Sequence, residues 1–74
     1  MKKFLTGQRY RDAYGCTYTV EKRTAKRLTI ADQWGDQKTI GILIDEREPE
    51  RGEWARPDGL YSQCPVIRAD RPLD

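Results

Sequence analysis

The chain has 74 residues, of which 36% are hydrophobic and 35% are charged, and its formal net charge is +2. A chain of this length predicts one domain, residues 1–74, with a small core, since it buries only about 60% of its unfolded surface. No apolar run approaches the roughly 18 residues of a membrane-spanning helix, and the basic start lacks the apolar stretch of a signal peptide, so a cytoplasmic protein is expected.

Charge is divided unevenly along the chain. Residues 1–38 contain nine basic and four acidic residues, a net +5, whereas residues 39–74 contain five basic and eight acidic residues, a net −3. Such an asymmetry can steer a charged partner toward one part of a protein surface. The alternative is that two strongly charged loops simply lie in different halves of the sequence.

The sequence offers little for catalysis or for metal binding. It contains no histidine, the commonest general acid–base group, and its two cysteines, Cys16 and Cys64, lie outside any paired motif. Two cysteines without a histidine cannot complete a four-ligand zinc site, and no imidazole is present to activate either thiol. We therefore predict no enzyme, no cofactor and no metal, and two free, partly buried thiols, as is typical of a reducing compartment.

Apolar residues alternate with polar ones over much of the chain, which is typical of β-strands. A short strand is predicted around residues 8–11, followed by a turn at 13–15. Three longer strands follow at 17–23, 26–31 and 38–45. No segment predicts a helix. The predicted core consists of Tyr18, Val20, Leu28, Ile30, Ile40, Ile42, Trp54, and Val66 or Ile67.

The connection between the first two of these longer strands is constrained by which residues share a face. Opposed residues of an antiparallel pair lie on the same face, so Val20 must oppose Leu28 or Ile30. A two-residue turn at 24–25 would instead oppose Val20 to Thr29 and would turn one strand inside out. The sequence therefore predicts a loop of three or five residues, or a β-bulge.

Four basic residues flank this connection, in the segment KRTAKR (22–27). In one permitted register Lys22 faces Lys26, and Arg23 and Arg27 point the other way. Like charges placed opposite one another are unfavourable, so we expect a nearby carboxylate or an anionic partner to relieve them.

Aromatic residues are interleaved with the basic ones. Trp34 and Tyr14 fall on predicted turns and are the better candidates for exposure, whereas Tyr18 shares the face of Val20 and is expected in the core. Basic side chains beside exposed rings can hold phosphates and stack bases. For Trp34 the alternative is a ring folded back over the mouth of a barrel. The residues predicted to bind nucleic acid are Lys22, Arg23, Lys26, Arg27, Arg9, Arg11 and Trp34.

The second half begins with an acidic loop, EREPERGE (46–53), which Pro49 and Gly52 interrupt. Short strands are predicted within 52–57 and at 66–68, and the tail 71–74 is expected to be frayed. Tryptophan and arginine are enriched at interface hot spots, so this region is a candidate protein-binding surface. For the tryptophan the alternative is a core position. The residues predicted to bind protein are Asp45, Glu46, Glu48, Glu50, Trp54 and Arg56.

Five short strands with turn signals about ten residues apart predict an all-β fold, either a small, strongly bent five-stranded antiparallel sheet or a barrel. The stretch from residue 6 to residue 44 resembles the SH3-like barrels of the KOW and Tudor type, which implies an SH3-like barrel. The residues that carry the resemblance are TGQRYRDAYGCTYTVEKRTAKRLTIADQWGDQKTIGI (6–42). The ending RPDGLYSQCPVIRAD (56–70) is similar to that of short proteins from phages and mobile elements, a likeness that implies no particular activity.

These features predict a non-catalytic binding module, an accessory protein of a phage or mobile element. Its basic hairpin end would contact nucleic acid or a nucleic-acid-bound complex. The alternative is an inhibitor of a host defence nuclease complex, of the anti-CRISPR kind, that acts by protein contact through the acidic loop and Trp54. No membrane partner is expected. A homodimer stays open, because an exposed edge strand or apolar face could pair two copies.

Overall fold

The protein forms two antiparallel β-sheets in the computed structural model, which describes residues 2–57 and 65–73. The strands, in chain order, are β1 Arg9–Arg11, β2 Thr17–Arg23, β3 Arg27–Asp32, β4 Gln37–Gly41, β5 Leu43–Ile44, β6 Glu53–Ala55, β7 Ile67–Arg68 and β8 Pro72–Leu73. The larger sheet has the order β4-β3-β2-β1-β8 and the smaller one β5-β6-β7. A short 3₁₀ turn at Pro49–Arg51 precedes β6.

The predicted all-β fold with a five-stranded antiparallel sheet is confirmed. The chain passes from the larger sheet to the smaller one at Ile42, whose N–H donates to the carbonyl of Lys26 at 2.8 Å. This crossing divides the predicted strand 38–45 between β4 and β5. The two sheets do not close into a barrel within the ranges that the structure describes, and the likeness to SH3-like barrels stays a prediction.

Alternation places one face of the larger sheet in the core. The predicted core positions in β2, β3 and β7 are confirmed, while Ile40 and Ile42 are only partly buried against the core and Trp54 and Val66 are half-buried. The buried hydrophobic residues are Phe4, Tyr10, Tyr18, Val20, Leu28, Ile30, Ala55, Ile67 and Ala69. The smaller sheet contributes Ala55 of β6 and Ile67 of β7 to this core.

Phe4 is a core residue that alternation does not identify, because it precedes the first strand. Its ring meets that of Tyr10 edge to face, with the ring centroids 4.9 Å apart and the ring planes at 84°. Both residues are 1% exposed. Such edge-to-face pairs are favourable beyond the apolar area that they bury. The N-terminal segment is thus held against the core by its one phenylalanine.

The predicted irregularity between β2 and β3 is present, as a β-bulge together with a three-residue loop, 24–26. Val20 opposes Ile30, as the parity of the two strands requires. The next pair is Lys22 with Thr29, so Glu21 is the extra residue of the bulge. After one extra residue, each later side chain of the strand points to the opposite face of the sheet from the one that simple alternation would give it.

The bulge separates the basic residues of the segment 22–27 differently from the prediction. Arg23 opposes Leu28 and lies on the inner face, while Lys22 and Arg27 lie together on the solvent side. The register in which Lys22 faces Lys26, with Arg23 and Arg27 on the other side, is therefore wrong. The physical reason is that the irregularity falls at Glu21, before the loop, rather than within it.

Arg23 finds its counter-charge inside the protein. Its Nη1 and Nη2 donate to the two carboxylate oxygens of Glu53 at 2.5 and 2.8 Å. Nη1 also donates to the carbonyl of Phe4 at 3.0 Å, and the Phe4 N–H donates to Glu53 Oε1 at 2.8 Å. The side chain of Arg23 is 19% exposed and that of Glu53 is 4% exposed. This bidentate pair joins β2, β6 and the N-terminal segment.

The ion pair shifts the pKa values of both partners. Burial alone would raise the pKa of the Glu53 carboxyl, but the hydrogen bonds from Arg23 and from the Phe4 N–H, together with the charges of Arg23 and Lys3, lower it below its ordinary 4.5. The hydrogen bond to Glu53 likewise raises the pKa of Arg23, against the opposing effect of burial. Both shifts favour the charged pair in the folded protein.

The N-terminal segment also lies close to the chain just before β6. The Glu53 N–H donates to the carbonyl of Lys2 at 3.0 Å. At Gly52, which has φ +94°, a Cβ atom would lie 2.7 Å from that same carbonyl oxygen. Only glycine fits this approach, because the backbone conformation and the missing side chain are both required.

The tail pairs with the larger sheet, so its predicted fraying is wrong for residues 72 and 73. Leu73 opposes Arg9 and Pro72 opposes Tyr10 at the edge formed by β8. The side-chain amide of Gln8 donates to the carbonyl of Leu73 at 2.7 Å. Proline is tolerated here because an edge strand has one side without a ladder to complete.

We predict that Glu53→Gln lowers the free energy of unfolding by about 3 kcal/mol near neutral pH, because Arg23 then stays partly buried without a counter-charge. The folded-state pKa of Glu53 is lower than its unfolded value. The carboxylate's contribution is therefore complete above the unfolded pKa and is lost as the pH falls through the folded one. The difference between the two proteins should narrow on acidification below about 4.5.

Urea unfolding at a series of pH values measures this difference. Glu50→Gln is the matched control, since Glu50 is exposed and its replacement should change the stability little. A difference between wild type and Glu53→Gln that stays constant down to strongly acidic pH would contradict the prediction.

Candidate nucleic-acid interface

The outer face of the larger sheet, the side turned to solvent, is rich in hydroxyl and basic side chains. Strand pairing aligns them in rows across the sheet, and the exposed Glu21 of the bulge is paired in none of these rows. The outer face consists of Arg9, Arg11, Thr17, Thr19, Lys22, Arg27, Thr29, Ala31, Gln37 and Thr39. It therefore carries four cations and no carboxylate in its paired rows.

The four cations are spread along the length of the sheet. Lys22 and Arg27 lie at the end next to the loop 24–26, and Arg11 lies at the opposite end, where it pairs with Thr17. Arg9 is one row further in from Arg11 on the outer face. At about 3.4 Å per residue, the six residues of β3 cover about 17 Å, which is the length over which these charges are distributed.

A groove of about 300 Å³ opens at the basic end of the outer face. Lys22 and Arg27 line it with Thr29 and Thr39, whose hydroxyl oxygens are 3.1 Å apart, and Arg23 and Thr24 complete the lining. No described residue forms an ion pair with Lys22 or Arg27. Lysine, arginine and threonine side chains can donate to phosphate oxygens, while most of the surface inside the groove is made of carbon atoms.

The other two basic residues of the segment 22–27 are placed differently. The guanidinium of Arg23 is committed to Glu53, and this predicted site residue therefore contributes structure, with no charge to spare for a ligand. Lys26 is exposed on the loop, where the hydroxyl of Thr24 accepts from the N–H groups of Lys26 and Arg27 at 3.4 and 3.1 Å. The loop is thus ordered by one threonine side chain.

Two turns at the other end of the larger sheet have the same hydrogen bonds. Between β1 and β2, Asp12 Oδ1 accepts from the N–H groups of Tyr14 and Cys16 at 2.9 and 3.0 Å. The Gly15 N–H donates to the carbonyl of Asp12, and the Asp12 N–H to the carbonyl of Cys16. Gly15 has φ +86°, which a non-glycine residue rarely adopts.

The turn between β3 and β4 repeats each of these contacts. Asp32 Oδ1 accepts from the N–H groups of Trp34 and Asp36 at 2.9 and 3.0 Å, and Gly35 has φ +89°. The backbone bonds of Gly35 with Asp32 and of Asp32 with Asp36 also match. The two tetrapeptides DAYG and DQWG share an Asp-x-aromatic-Gly pattern, which is the sequence signal of this repeated turn. The alternation of apolar residues identifies the strands and does not reveal it.

Each of the two turns presents an exposed ring at the same turn position. Tyr14 is 72% exposed and Trp34 is 73% exposed, which confirms the predicted exposure and excludes a Trp34 ring folded over the protein. The two turns lie close together because β2, which follows the first turn, pairs with β3, which precedes the second. A hydrogen bond also links them, since the side chain of Gln33 accepts from the Thr17 N–H at 3.4 Å. The two hairpins are displaced by two strand spacings, about 10 Å, so equal turn geometry places both rings at one end of the sheet.

The acidic loop lies between the strands β5 and β6 of the smaller sheet and contributes no residue to the outer face of the larger one. Glu46, Glu48 and Glu50 are exposed, while Asp45 is half-buried and its side chain accepts from the Arg47 N–H at 2.9 Å. Arg51 lies 3.7 Å from Glu48, an exposed pair of little energetic weight. The structure therefore keeps three of the four predicted acidic site residues open to a partner.

Trp54 and Arg56 lie beside one another, as the sequence places them. Trp54 pairs with Leu43 and Arg68 in the smaller sheet and is half-buried. The Arg56 guanidinium carbon is 5.0 Å from the centroid of the Trp54 ring, within the range of a cation–π contact. The Trp54 ring and the Arg56 guanidinium already contact each other in the folded protein, so less of each side chain is available to contact a binding partner.

The remaining chemical groups add little to this surface. Cys16 is a half-buried free thiol, and Cys64 lies outside the described residues. No group of three or more potential ligands that could hold a metal ion occurs among the residues described. Within residues 2–57 and 65–73, no helix has the length and apolar character needed to cross a membrane.

Comparisons of the chain with protein-family models, with curated proteins and with solved structures found no match. The geometry of the outer face and of its two aromatic turns is therefore the basis for a functional proposal.

Proposed function

We propose that this chain is a non-catalytic cytoplasmic binding module that contacts nucleic acid, or a complex already bound to nucleic acid, through the outer face of its larger sheet. The observation that carries the proposal is the groove beside Lys22 and Arg27, where two cations without an ion-pair partner among the described residues flank two threonine hydroxyls. The likeness of the chain's ending to phage and mobile-element proteins favours an accessory role in such an element.

Charge supports this use of the outer face. The first 38 residues have a net charge of +5. Of their four carboxylates, Asp12 is buried and Asp32 is occupied in its turn, which leaves Glu21 and Asp36 exposed. Phosphates neutralise such cations and release their own counterions, so binding of this kind is strongly salt-dependent and largely independent of sequence.

The two aromatic turns favour a single strand over a duplex. Exposed rings stack on the faces of unpaired bases, which a duplex does not offer along its length. The separation of about 10 Å between the turns corresponds to about three base steps of 3.4 Å. The 17 Å of basic outer face adds room for about five nucleotides, so a single strand of about eight nucleotides would occupy both regions.

A second candidate function rests on the acidic loop. Glu46, Glu48 and Glu50 are exposed, and Ile44 just before them is 44% exposed, so acidic and apolar surface lie side by side. Such a surface suits the basic groove of a nucleic-acid-binding protein, which is the inhibitor function of the anti-CRISPR kind. The pairing of Trp54 with Arg56 makes those two residues weaker contributors to it.

We predict that the double variant Lys22→Glu/Arg27→Glu loses most of its affinity for a single strand of about eight nucleotides. The slope of log affinity against log salt should fall by about 1.4, since two phosphate contacts at about 0.7 each are removed. Fluorescence anisotropy over a range of salt concentrations measures both quantities.

The matched control for this double variant is Arg47→Glu/Arg51→Glu. It changes the net charge by the same amount, on the acidic loop and away from the outer face. Its affinity should stay close to that of the wild type. Equal losses in the two double variants, or no binding by the wild type at low salt, would refute the proposed contact.

A second prediction concerns the rings. Tyr14→Ala and Trp34→Ala should each weaken single-strand binding by about 1–3 kcal/mol, because each removes one stacking surface. Tyr14→Phe and Trp34→Phe keep a ring and should retain most of the affinity. Binding of a duplex of the same length should change little in any of the four variants. If the alanine variants bind single strands as tightly as the phenylalanine variants do, stacking is not part of the contact.

The inhibitor function makes a different prediction. In cells whose defence nuclease cleaves a targeted plasmid, expression of the chain should protect that plasmid. Charge reversal at Glu46, Glu48 and Glu50 should abolish this protection, whereas Lys22→Glu/Arg27→Glu should leave it intact. Absence of protection by the wild-type chain, or protection that survives the reversal at the acidic loop, would exclude the second function.

A further inference from the structure

Strand β4 forms an edge of the larger sheet, where it pairs with β3 and with no other strand of the described ranges. The Ile42 N–H donates to the carbonyl of Lys26, and the bonds of an antiparallel ladder alternate, so the even-numbered residues of β4 bond to β3. The backbone N–H and C=O groups of Gln37, Thr39 and Gly41 therefore point away from β3. No hydrogen bond to these backbone groups is found among the described residues.

The first hairpin of the sheet shows how such an edge is completed. The two hairpins pair in the same register, since Arg9 opposes Thr19 in the first and Thr29 opposes Thr39 in the second. Thr19 and Thr39 thus occupy equivalent positions. The backbone of Thr19 faces β3, where it opposes Ala31. β2 is therefore paired on both sides, whereas β4, which has the same geometry, is paired on one.

The sequence of β4 does not block the addition of a strand. Exposed edges are usually protected by proline, by a bulge, by shortness or by outward-pointing charges. β4 is QKTIG (37–41), which contains no proline, and its pairing with β3 is regular. Its one charged residue, Lys38, is half-buried and donates from Nζ to the carbonyl of Pro57 at 2.8 Å. The other edge strands, β5, β7 and β8, have only two residues each.

Charge and strand length select one register for the antiparallel pairing of two β4 strands. With Thr39 opposite Thr39 of the second copy, Lys38 opposes Ile40, and all five residues of each strand are used. A shift by two residues in one direction would place Lys38 opposite itself, and like charges so placed are unfavourable. A shift in the other direction would leave part of each strand unpaired, because the chain leaves the larger sheet at Ile42.

We propose that the edge of β4 binds a second copy of this chain, by antiparallel pairing of the two β4 strands about a twofold axis at Thr39. Each opposed pair of outward-facing residues exchanges two backbone hydrogen bonds, which gives about six in all. The same patch serves on both copies, so the assembly closes as a dimer. Two five-residue strands bury much less than the roughly 1,600 Å² of a standard interface, so the dissociation constant should lie between micromolar and millimolar.

The dimer joins the outer faces of the two copies, because opposed residues of an antiparallel pair share a face. The row formed by Lys22, Thr29 and Thr39 continues into the same three residues of the second copy, in reverse order. The two Lys22 Cα atoms are then about 24 Å apart, across five strand spacings. Thr39 lines the groove, so the grooves of the two copies lie on either side of the axis. Joint use of both grooves rests on the proposed nucleic-acid contact, whereas the pairing of the edges does not.

Hydrogen exchange tests the pairing in the absence of nucleic acid. The amides of Thr39 and Gly41 should exchange more slowly as the protein concentration rises, because the second copy supplies their acceptors. Sedimentation velocity should show a dimer over the same range. The amide of Ile40, which bonds to β3, should be protected at every concentration. The proposal is overturned if the chain stays monomeric at millimolar concentration. It is also overturned if Thr39 is equally protected at all concentrations, because another part of the same chain then covers the edge.

Charge variants at Thr39 test the register, because this exposed residue lies on the proposed axis. Thr39→Lys and Thr39→Glu each oppose two like charges, so each variant alone should dimerise about fivefold more weakly than the wild type. A mixture of the two variants opposes unlike charges, and the mixed dimer should be at least about fivefold tighter than either variant's own dimer. Mixing cannot correct a folding defect. If mixing restores no dimer, the pairing at Thr39 is wrong.

Thr19→Lys and Thr19→Glu are the matched controls. Thr19 has the equivalent position in the first hairpin, but its strand already has a partner on each side. These variants change the charge of the outer face by the same amounts, so their dissociation constants should stay close to that of the wild type. Mixing them should have no effect. Losses as large as those of the Thr39 variants would reflect general charge repulsion and would overturn the proposal.

Fluorescence anisotropy with a single strand of about eight nucleotides, measured on the same protein samples, separates this proposal from the nucleic-acid contact. A wild-type chain that forms the dimer but binds no strand would count against the nucleic-acid contact alone and leave the pairing of β4 in place. A chain that binds the strand but never self-associates would overturn the pairing alone.

Discussion

The bidentate pair between Arg23 and Glu53 is the contact on which the arrangement of the two sheets depends. It joins residues 30 positions apart, on β2 and β6, and both partners also bond to the backbone of Phe4. The N-terminal segment, the larger sheet and the smaller sheet therefore meet at one pair of side chains. In a chain with so few large apolar residues, we expect a buried ion pair of good geometry to help specify the arrangement of the sheets.

This use of Arg23 also determines what the outer face can do. The bulge at Glu21 brings Arg23 inward, to a carboxylate, and brings Lys22 outward, beside Arg27 and a row of threonines. The charge of Arg23 is neutralised inside the protein by Glu53, whereas the cations of the outer face stay exposed to solvent. Because few carboxylates accompany them, the cations of the outer face act on a ligand with little internal screening.

The strands and the inner face could be predicted from alternation, because β2 and β3 are long enough for a period of two to be unambiguous. Parity also required an irregular connection between them. What parity could not supply was the position of the bulge, since an extra residue at Glu21 and one within the loop satisfy it equally. That choice depends on Glu53, a residue that is distant in sequence and that the local pattern does not involve.

Other features depended on contacts that are just as distant. Phe4 enters the core through Tyr10 and the ion pair, and Leu73 pairs with Arg9, so neither the start nor the end of the described chain could be assigned from its own sequence. The groove forms between strands whose threonines sit opposite one another only once the register is known. The pattern shared by DAYG and DQWG is present in the sequence but was not recognised from it, because the equivalence of the two turns depends on both lying at one end of a sheet.

The bulge has a consequence for how this sequence can change in evolution. Substitutions on the outer face alter its chemistry one side chain at a time and leave the fold alone. If Glu21 instead paired with Thr29 and the bulge was lost, Lys22 would oppose Leu28 and Arg23 would oppose Arg27. The ion pair and the groove would then be lost in one step. The exclusion of Glu21 from the ladder is therefore more important to this fold than the identity of most side chains on the outer face.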